Sequence, residues 1–169
     1  NVTGVQTCAL PISERPTLAE LDGLVAIDLV MKEALRLRAP VPALARRTVK
    51  DVVVCGVQIP AGTFCTVTPQ FSQLMPEYWS DPEAFDPERF SPERREDKSH
   101  RYAWEPFGGG VHKCLGLFFA GAEIKAILCH LLRDWSWSVD PGYRAPMNNH
   151  SLPFPSDGQP IDLTRRSAS

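Results

Sequence analysis

The sequence predicts a mainly α chain with small β-sheets, an α+β arrangement, and three stretches predict it. Leu24, Ile27, Met31 and Leu35 recur at spacings of three and four, the period of one helical face. Leu115 to Leu132 is apolar nearly all round, long enough for a helix and predicted to be buried. Between them, Thr48 to Pro60 is rich in β-branched residues, and Thr63 to Thr68 reads as a returning strand after the turn Pro60-Ala-Gly62.

The elements follow in order. Thr17-Leu-Ala-Glu20 is a capping box that opens a short helix, and Asp22-Gly23 breaks or bends it. The helix from Leu24 is expected to stop before Pro40 and Pro42. A short helical piece is expected around Phe71 to Met75. Pro82 to Arg101 carries three prolines and dense mixed charge, the pattern of a long coil with mostly solvated charges. After the apolar helix, Pro141, Pro146, Pro153, Pro155 and Pro160 punctuate short strands joined by turns.

Composition excludes several classes. With 18 Lys+Arg against 20 Asp+Glu among 169 residues, the formal charge is −2, which argues against a nucleic-acid binder. An apolar share of 43% is enough for a core. Five cysteines, odd in number and without a CxxC pair, favour a reduced cytoplasmic chain over a disulfide-stapled one. No run of 18 apolar residues exists to span a membrane. Residues 1–13 fit neither period. Val5 to Ile12 (VQTCALPI) resembles the translation of a sequencing adapter, so this leader is expected to be non-native and residues 14–169 to form the domain.

The chemistry centres on Phe107-Gly108-Gly109-Gly110-Val111-His112-Lys113-Cys114-Leu115-Gly116. A lone cysteine stands at the mouth of the apolar helix behind a glycine-rich loop that permits unusual φ angles. Loop N–H groups and the helix N-terminus both favour thiolate over thiol. Such a thiolate serves as nucleophile, zinc ligand or axial ligand to haem iron. His112 and Cys114 alone make no zinc site, and no base motif accompanies a nucleophile. GxxxxGK[ST] is absent, so the loop is no phosphate cradle. Haem thiolate chemistry fits best.

A second pattern is Glu33-Ala-Leu-Arg36 on the first long helix, with Pro87-Glu88-Arg89-Phe90 in the charged coil. Glu33 and Arg36 share one helical face and can pair.

Together these patterns resemble the cytochrome P450 family, from about Leu18 to the carboxyl end. Phe107, Gly108, Gly110, His112, Cys114 and Gly116 occupy the fixed positions of its haem-binding loop, and Glu33, Arg36 and Arg89 resemble its structural Glu–Arg–Arg triad. Pro40-Val-Pro42, Gly56 to Gly62 and Asp81 to Phe85 resemble further landmarks. The resemblance implies haem b (iron protoporphyrin IX), with Cys114 as proximal iron ligand and Phe107 beside the sulfur. His112 and Arg46 would bind the propionates, with Arg47 as rival to Arg46 because neighbouring strand residues face opposite ways. Val41 to Leu44 and Leu152 to Phe154 resemble substrate-lining segments.

The implied function is a monooxygenase that inserts one atom of O2 into a small apolar organic substrate. A ferredoxin- or flavoprotein-type donor would supply electrons, docking near Arg94, Arg95, Lys113 or Lys125. The approach Arg101 to Phe107 resembles bacterial members near the sterol 14-demethylase group. The family's distal helix, with its acid–Thr pair, has no counterpart between Ser13 and Glu33. An inactive carboxyl-terminal fragment is therefore expected, its membrane anchoring open. The alternatives are a peroxide-using or isomerase haem-thiolate enzyme, and a non-catalytic haem-binding or structural remnant.

Overall fold

The computed structural model describes residues 15–150 and 152–166. The expected leader 1–13 lies outside the described residues. Helix α1, Leu18–Asp22, is opened by the capping box. Thr17 Oγ1 accepts from the Glu20 N–H, and the Glu20 carboxylate accepts from the Thr17 N–H at 2.7 Å. Gly23 ends it, and α2 runs Val25–Leu37.

Two glutamine side chains finish α2 where glycine commonly would. Gln70 Nε2 donates to the carbonyls of Arg36 and Leu37, and Gln73 Nε2 to those of Leu35 and Arg36, at 3.0–3.3 Å. Helix-end carbonyls need such partners, and these come from α3, Pro69–Ser72, and the residue after it. α3 starts two residues earlier than the expected Phe71 to Met75, because Pro69 is suited to the first helical position.

Strands β1, Leu44–Arg47, and β4, Phe64–Val67, pair antiparallel, with Arg46 opposite Cys65 and Arg47 opposite Phe64. Between them β2, Val52–Val54, and β3, Val57–Ile59, form their own hairpin. Its turn residues Cys55 and Gly56 have φ of 49° and 80°, as a tight hairpin turn demands. The expected return strand thus pairs with β1 and not with the valine-rich stretch. Helix α4, Leu117–Asp134, leads into β5, Trp135–Ser138, which pairs with β8, Asp162–Arg165. β6, Met147–Asn148, pairs with β7, Phe154–Pro155.

The apolar core is divided. Leu21, Leu24 and Ile27 pack against Cys129 and Leu132 of α4, and Trp79, Phe90 and Ala103 form a second cluster. The expectation that α4 is buried holds for one stripe only. Phe118 is 85% and Phe119 70% exposed, since α1, α2 and β5 cover only the side carrying Lys125, Cys129 and Leu132.

Beside the second cluster lies a buried ionic knot. Arg36, fully buried, donates from Nε and Nη2 to the two Glu33 oxygens at 2.7 and 2.9 Å. Its other three N–H groups go to the carbonyls of Gln73, Pro82 and Ala84, so every donor is used. The guanidinium also lies over the Trp79 ring, 5.1 Å from its centre. Arg89, on the 3-10 turn Pro87–Phe90, reaches Glu33 Oε1 at 3.2 Å and donates to Ser80, Asp81, Ala84 and Glu96. The charged coil is thereby bound to α2, and three of its charges are not solvated as expected: Arg89 is 1% exposed, and the Asp97 and Glu96 side chains 14% and 17%.

Glu33→Gln leaves two buried guanidiniums without their shared charge. It is expected to cost about 3–5 kcal/mol, read by urea denaturation followed through tryptophan fluorescence. A second expectation concerns acid. Burial raises the Glu96 carboxyl, but hydrogen bonds from Arg94, Ser80 and Arg89 outweigh it and hold it at about 2 against an ordinary 4.5. The folded state thus binds fewer protons, so this stabilisation is complete above pH 4.5 and is lost as pH falls towards 2. Glu96→Gln should shrink the loss of stability across that window in acid titrations.

Candidate functional site

The cysteine loop is held from the side of the ionic knot. Arg36 fixes the Gln73 carbonyl, and the Gln73 side-chain oxygen accepts the Glu105 N–H at 3.0 Å. Trp104 Nε1 donates to the Lys32 carbonyl of α2 at 3.2 Å, and the Trp104 ring meets Phe107 edge-on, 6.2 Å between centres. From this anchored start the chain turns. Gly108 N–H donates to Glu105 O, and Cys114 N–H closes back onto Phe107 O at 2.9 Å. Gly108 and Gly110 have φ of 67° and 66°, the left-handed region that costs a side chain energy.

Gly110–His112 forms a 3-10 turn, and Gly116 precedes α4 without a side-chain cap. The cysteine therefore lies just before a helix whose first N–H groups lack a side-chain partner. A Cβ on Gly116 would stand 3.6 Å from the Cys114 sulfur, so glycine leaves that flank open. Cys114 is free and exposed, as is Cys55. Cys129 is free but fully buried, and burial pushes its thiol up, which makes it inert.

A cavity of about 690 Å³ opens between α2, β1 and this loop. Leu35, Pro40, Val41, Leu44 and Phe107 give it apolar walls, while Cys114 brings a thiol, His112 an imidazole, and Arg46 and Arg47 guanidiniums. Of the residues singled out from sequence, Phe107, Gly108, His112, Cys114 and Arg46 thus line one cavity. Gly110 and Gly116 shape the loop from outside it, and Glu33, Arg36 and Arg89 stand behind it.

Arg46 and its rival Arg47 both line the cavity despite their opposite strand faces. Arg47 donates to the Gly62 carbonyl at 2.7 Å, whereas Arg46 reaches only its neighbour Ala45. Leu152 and Phe154 do not line it. Lys125 is also removed from the exposed cations: it is 8% exposed and paired with Asp28 Oδ1 at 3.3 Å. Gln73, Gln70 and Trp104 were not legible as site supports, since no local pattern marks a side chain that bonds a distant backbone.

The donor set suits one group. An apolar-walled cavity with one thiol, one imidazole and two guanidiniums fits a haem, and among the described residues no three His, Cys, Asp or Glu side chains gather to hold a bare metal. Cavity, loop and cysteine together define a haem-thiolate class of site.

Comparison with known proteins agrees. The Cytochrome P450 family model matches residues 6–163. A putative cytochrome P450 136 from Mycobacterium tuberculosis is 45% identical over 150 residues, 88% of this chain and 30% of that protein. A sterol 14alpha-demethylase from Mycolicibacterium vanbaalenii is 36% identical over 75% of this chain and 28% of its own length. A cyanobacterial P450 structure with bound retinoic acid aligns with a TM-score of 0.87 at 30% identity, covering 98% of this chain and 38% of that one. The chain belongs to the cytochrome P450 family, whose cofactor is haem b. It spans about 30% of the length of the curated relatives named here. Among the described residues no helix is long and apolar enough to cross a membrane.

Gly110 offers a clean test of the loop, because nothing lies within 4 Å of a Cβ built there. Gly110→Ala should therefore cost only the backbone penalty, about 1–2 kcal/mol in urea denaturation, with Gly110→Asn costing less.

Proposed function

We propose that this chain is the cysteine-bearing part of a haem-thiolate monooxygenase that inserts one atom of O2 into a small apolar organic substrate. The observation that carries this reading is the convergence of Cys114, His112, Arg46 and Arg47 on a single apolar-walled cavity.

Cys114 would hold the iron through its sulfur. The Phe107 carbonyl takes the Cys114 N–H, which fixes the backbone under that sulfur, and the Phe107 ring on the cavity wall limits water. His112, Arg46 and Arg47 would meet the propionates, Arg47 from the firmer position given by its bond to Gly62. Leu35, Pro40, Val41 and Leu44 supply the slot's apolar contact. Haem, when bound, supplies the iron that activates dioxygen for transfer to a substrate. The reducing cytoplasm suits a chain whose Cys55, Cys65, Cys114 and Cys129 are all free.

Electrons would come from a ferredoxin- or flavoprotein-type donor docking on the cysteine side. Lys113 is an exposed cation of the cysteine loop, and Arg95 is exposed on the charged coil. Arg94 is already committed, at 2.6 Å to Asp86 and 2.5 Å to Glu96, with the hydrogen bonds to those two carboxylates raising its pKa. On this reading the chain by itself does not turn over substrate, and the activity belongs to the longer polypeptide.

The test is spectroscopic. Carbon monoxide added to the reduced longer polypeptide should give the red-shifted Soret band that names the family. Cys114→His should move that band to the shorter wavelength of imidazole-ligated haem. A wild-type polypeptide already showing the shorter-wavelength band would overturn the reading.

A further inference from the structure

A second cavity, of about 370 Å³, lies against the cysteine loop and shares Pro106, Phe107 and Gly108 with the first. His100, Arg101, Trp104, Glu105, Gly109 and Lys113 contribute to its wall. Its one loop carboxylate is in an unusual place. Glu105 is half-buried, its N–H is fixed by Gln73 and its carbonyl by Gly108, so the side chain has a pinned root. The carboxylate rests against the middle glycine of the loop: a Cβ on Gly109 would collide with Oε1 and stand 3.3 Å from Cδ. Any residue could adopt the φ of −146° at Gly109, so what a side chain there would disturb is the position of Glu105 and not the backbone.

Among the described residues the carboxylate forms no ion pair or hydrogen bond, unlike Glu33 and Glu96. Burial pushes its pKa up, opposed by the positive charges of Arg101, His100 and Lys113. A negative charge lying against Gly109 of the loop that presents the sulfur acts on whatever charge the sulfur and its metal carry, and the partly dry surroundings weaken the screening. Charges and hydrogen bonds outside the ligand itself are a main lever on iron potentials.

The geometry points to Glu105 as a charge-tuning residue that lowers the reduction potential of the iron held by Cys114, stabilising the ferric over the ferrous state. Gly109 is the space that lets it approach. The inference rests on the proposed haem-thiolate function and deepens it by naming a control on electron entry. Loss of the Glu105 charge favours the more electron-rich ferrous state, so the sign is fixed in advance.

The experiment is spectroelectrochemistry on the haem-loaded longer polypeptide. Glu105→Gln keeps the shape and removes the charge. It should raise the ferrous-to-ferric ratio at fixed potential by about tenfold, about 59 mV for a one-electron couple. Gly109→Ala keeps the charge but forces the carboxylate aside, and should give a smaller shift of the same sign. Both variants should retain the thiolate Soret band with carbon monoxide, which a structural role in the loop would disturb. An unmoved or lowered potential in Glu105→Gln, with that band intact, overturns the inference and leaves the proposed function standing. A Glu105→Gln protein that no longer takes up haem overturns it in favour of a structural role. Absence of the thiolate band from the wild type sinks the proposed function itself.

Discussion

The structure depends on one carboxylate shared by two guanidiniums out of water. Glu33 takes two hydrogen bonds from Arg36, one from Arg89 and one from the Asp86 N–H, and all three charged side chains are at most 1% exposed. An ion cluster this dry is costly to assemble, and replacement by apolar packing often stabilises proteins. What the knot gives in exchange is attachment. Arg36 and Arg89 between them grip the carbonyls of Gln73, Ser80, Asp81, Pro82 and Ala84, a stretch with little regular structure to satisfy them otherwise. A coil that would be free to move is held against α2 by its own backbone.

That attachment reaches the site in two bonds. Arg36 holds the Gln73 carbonyl, and the Gln73 side chain holds Glu105 at the start of the glycine loop. Trp104 adds a parallel tie to the Lys32 carbonyl of α2. Because α2 also contributes Leu35 to the cavity, helix and loop are referenced to each other across the slot they enclose. Precision at Cys114 therefore comes from elements far from it in sequence. The loop alone, with two left-handed glycines and an exposed cysteine, could not supply it.

Much of this was readable from residues in order. The capping box at Thr17, the helix up to Pro40, the glycine loop before α4 and the short carboxyl-terminal strands all follow from local signals with a local cause. The ExxR spacing placed Glu33 and Arg36 on one face, and resemblance brought in Arg89. Three things were not readable. The pairing of β4 with β1 depends on a hairpin whose turn, Cys55-Gly56, lacks the usual asparagine or aspartate. The capping of α2 by Gln70 and Gln73 leaves no mark in a window of sequence. The exposure of Phe118 and Phe119 runs against hydropathy, because an apolar helix is buried only as far as its neighbours extend.

The glycine loop separates two unlike environments, and this division explains its composition. On one side Cys114 lines the apolar-walled cavity with His112, Arg46 and Arg47; on the other, half-buried Glu105 lines the second cavity with His100, Arg101 and Lys113. A loop bearing larger side chains would thicken this partition and move Glu105 away from it. Glycine at 109 permits the opposite, a backbone that a carboxylate can approach without meeting a Cβ. Left-handed φ at 108 and 110 then has a purpose beyond turning the chain: it carries the thin segment between two anchored ends, Glu105 on Gln73 and Cys114 on Phe107. The loop is a wall whose thickness is set by missing side chains and whose position is set by a buried ion cluster.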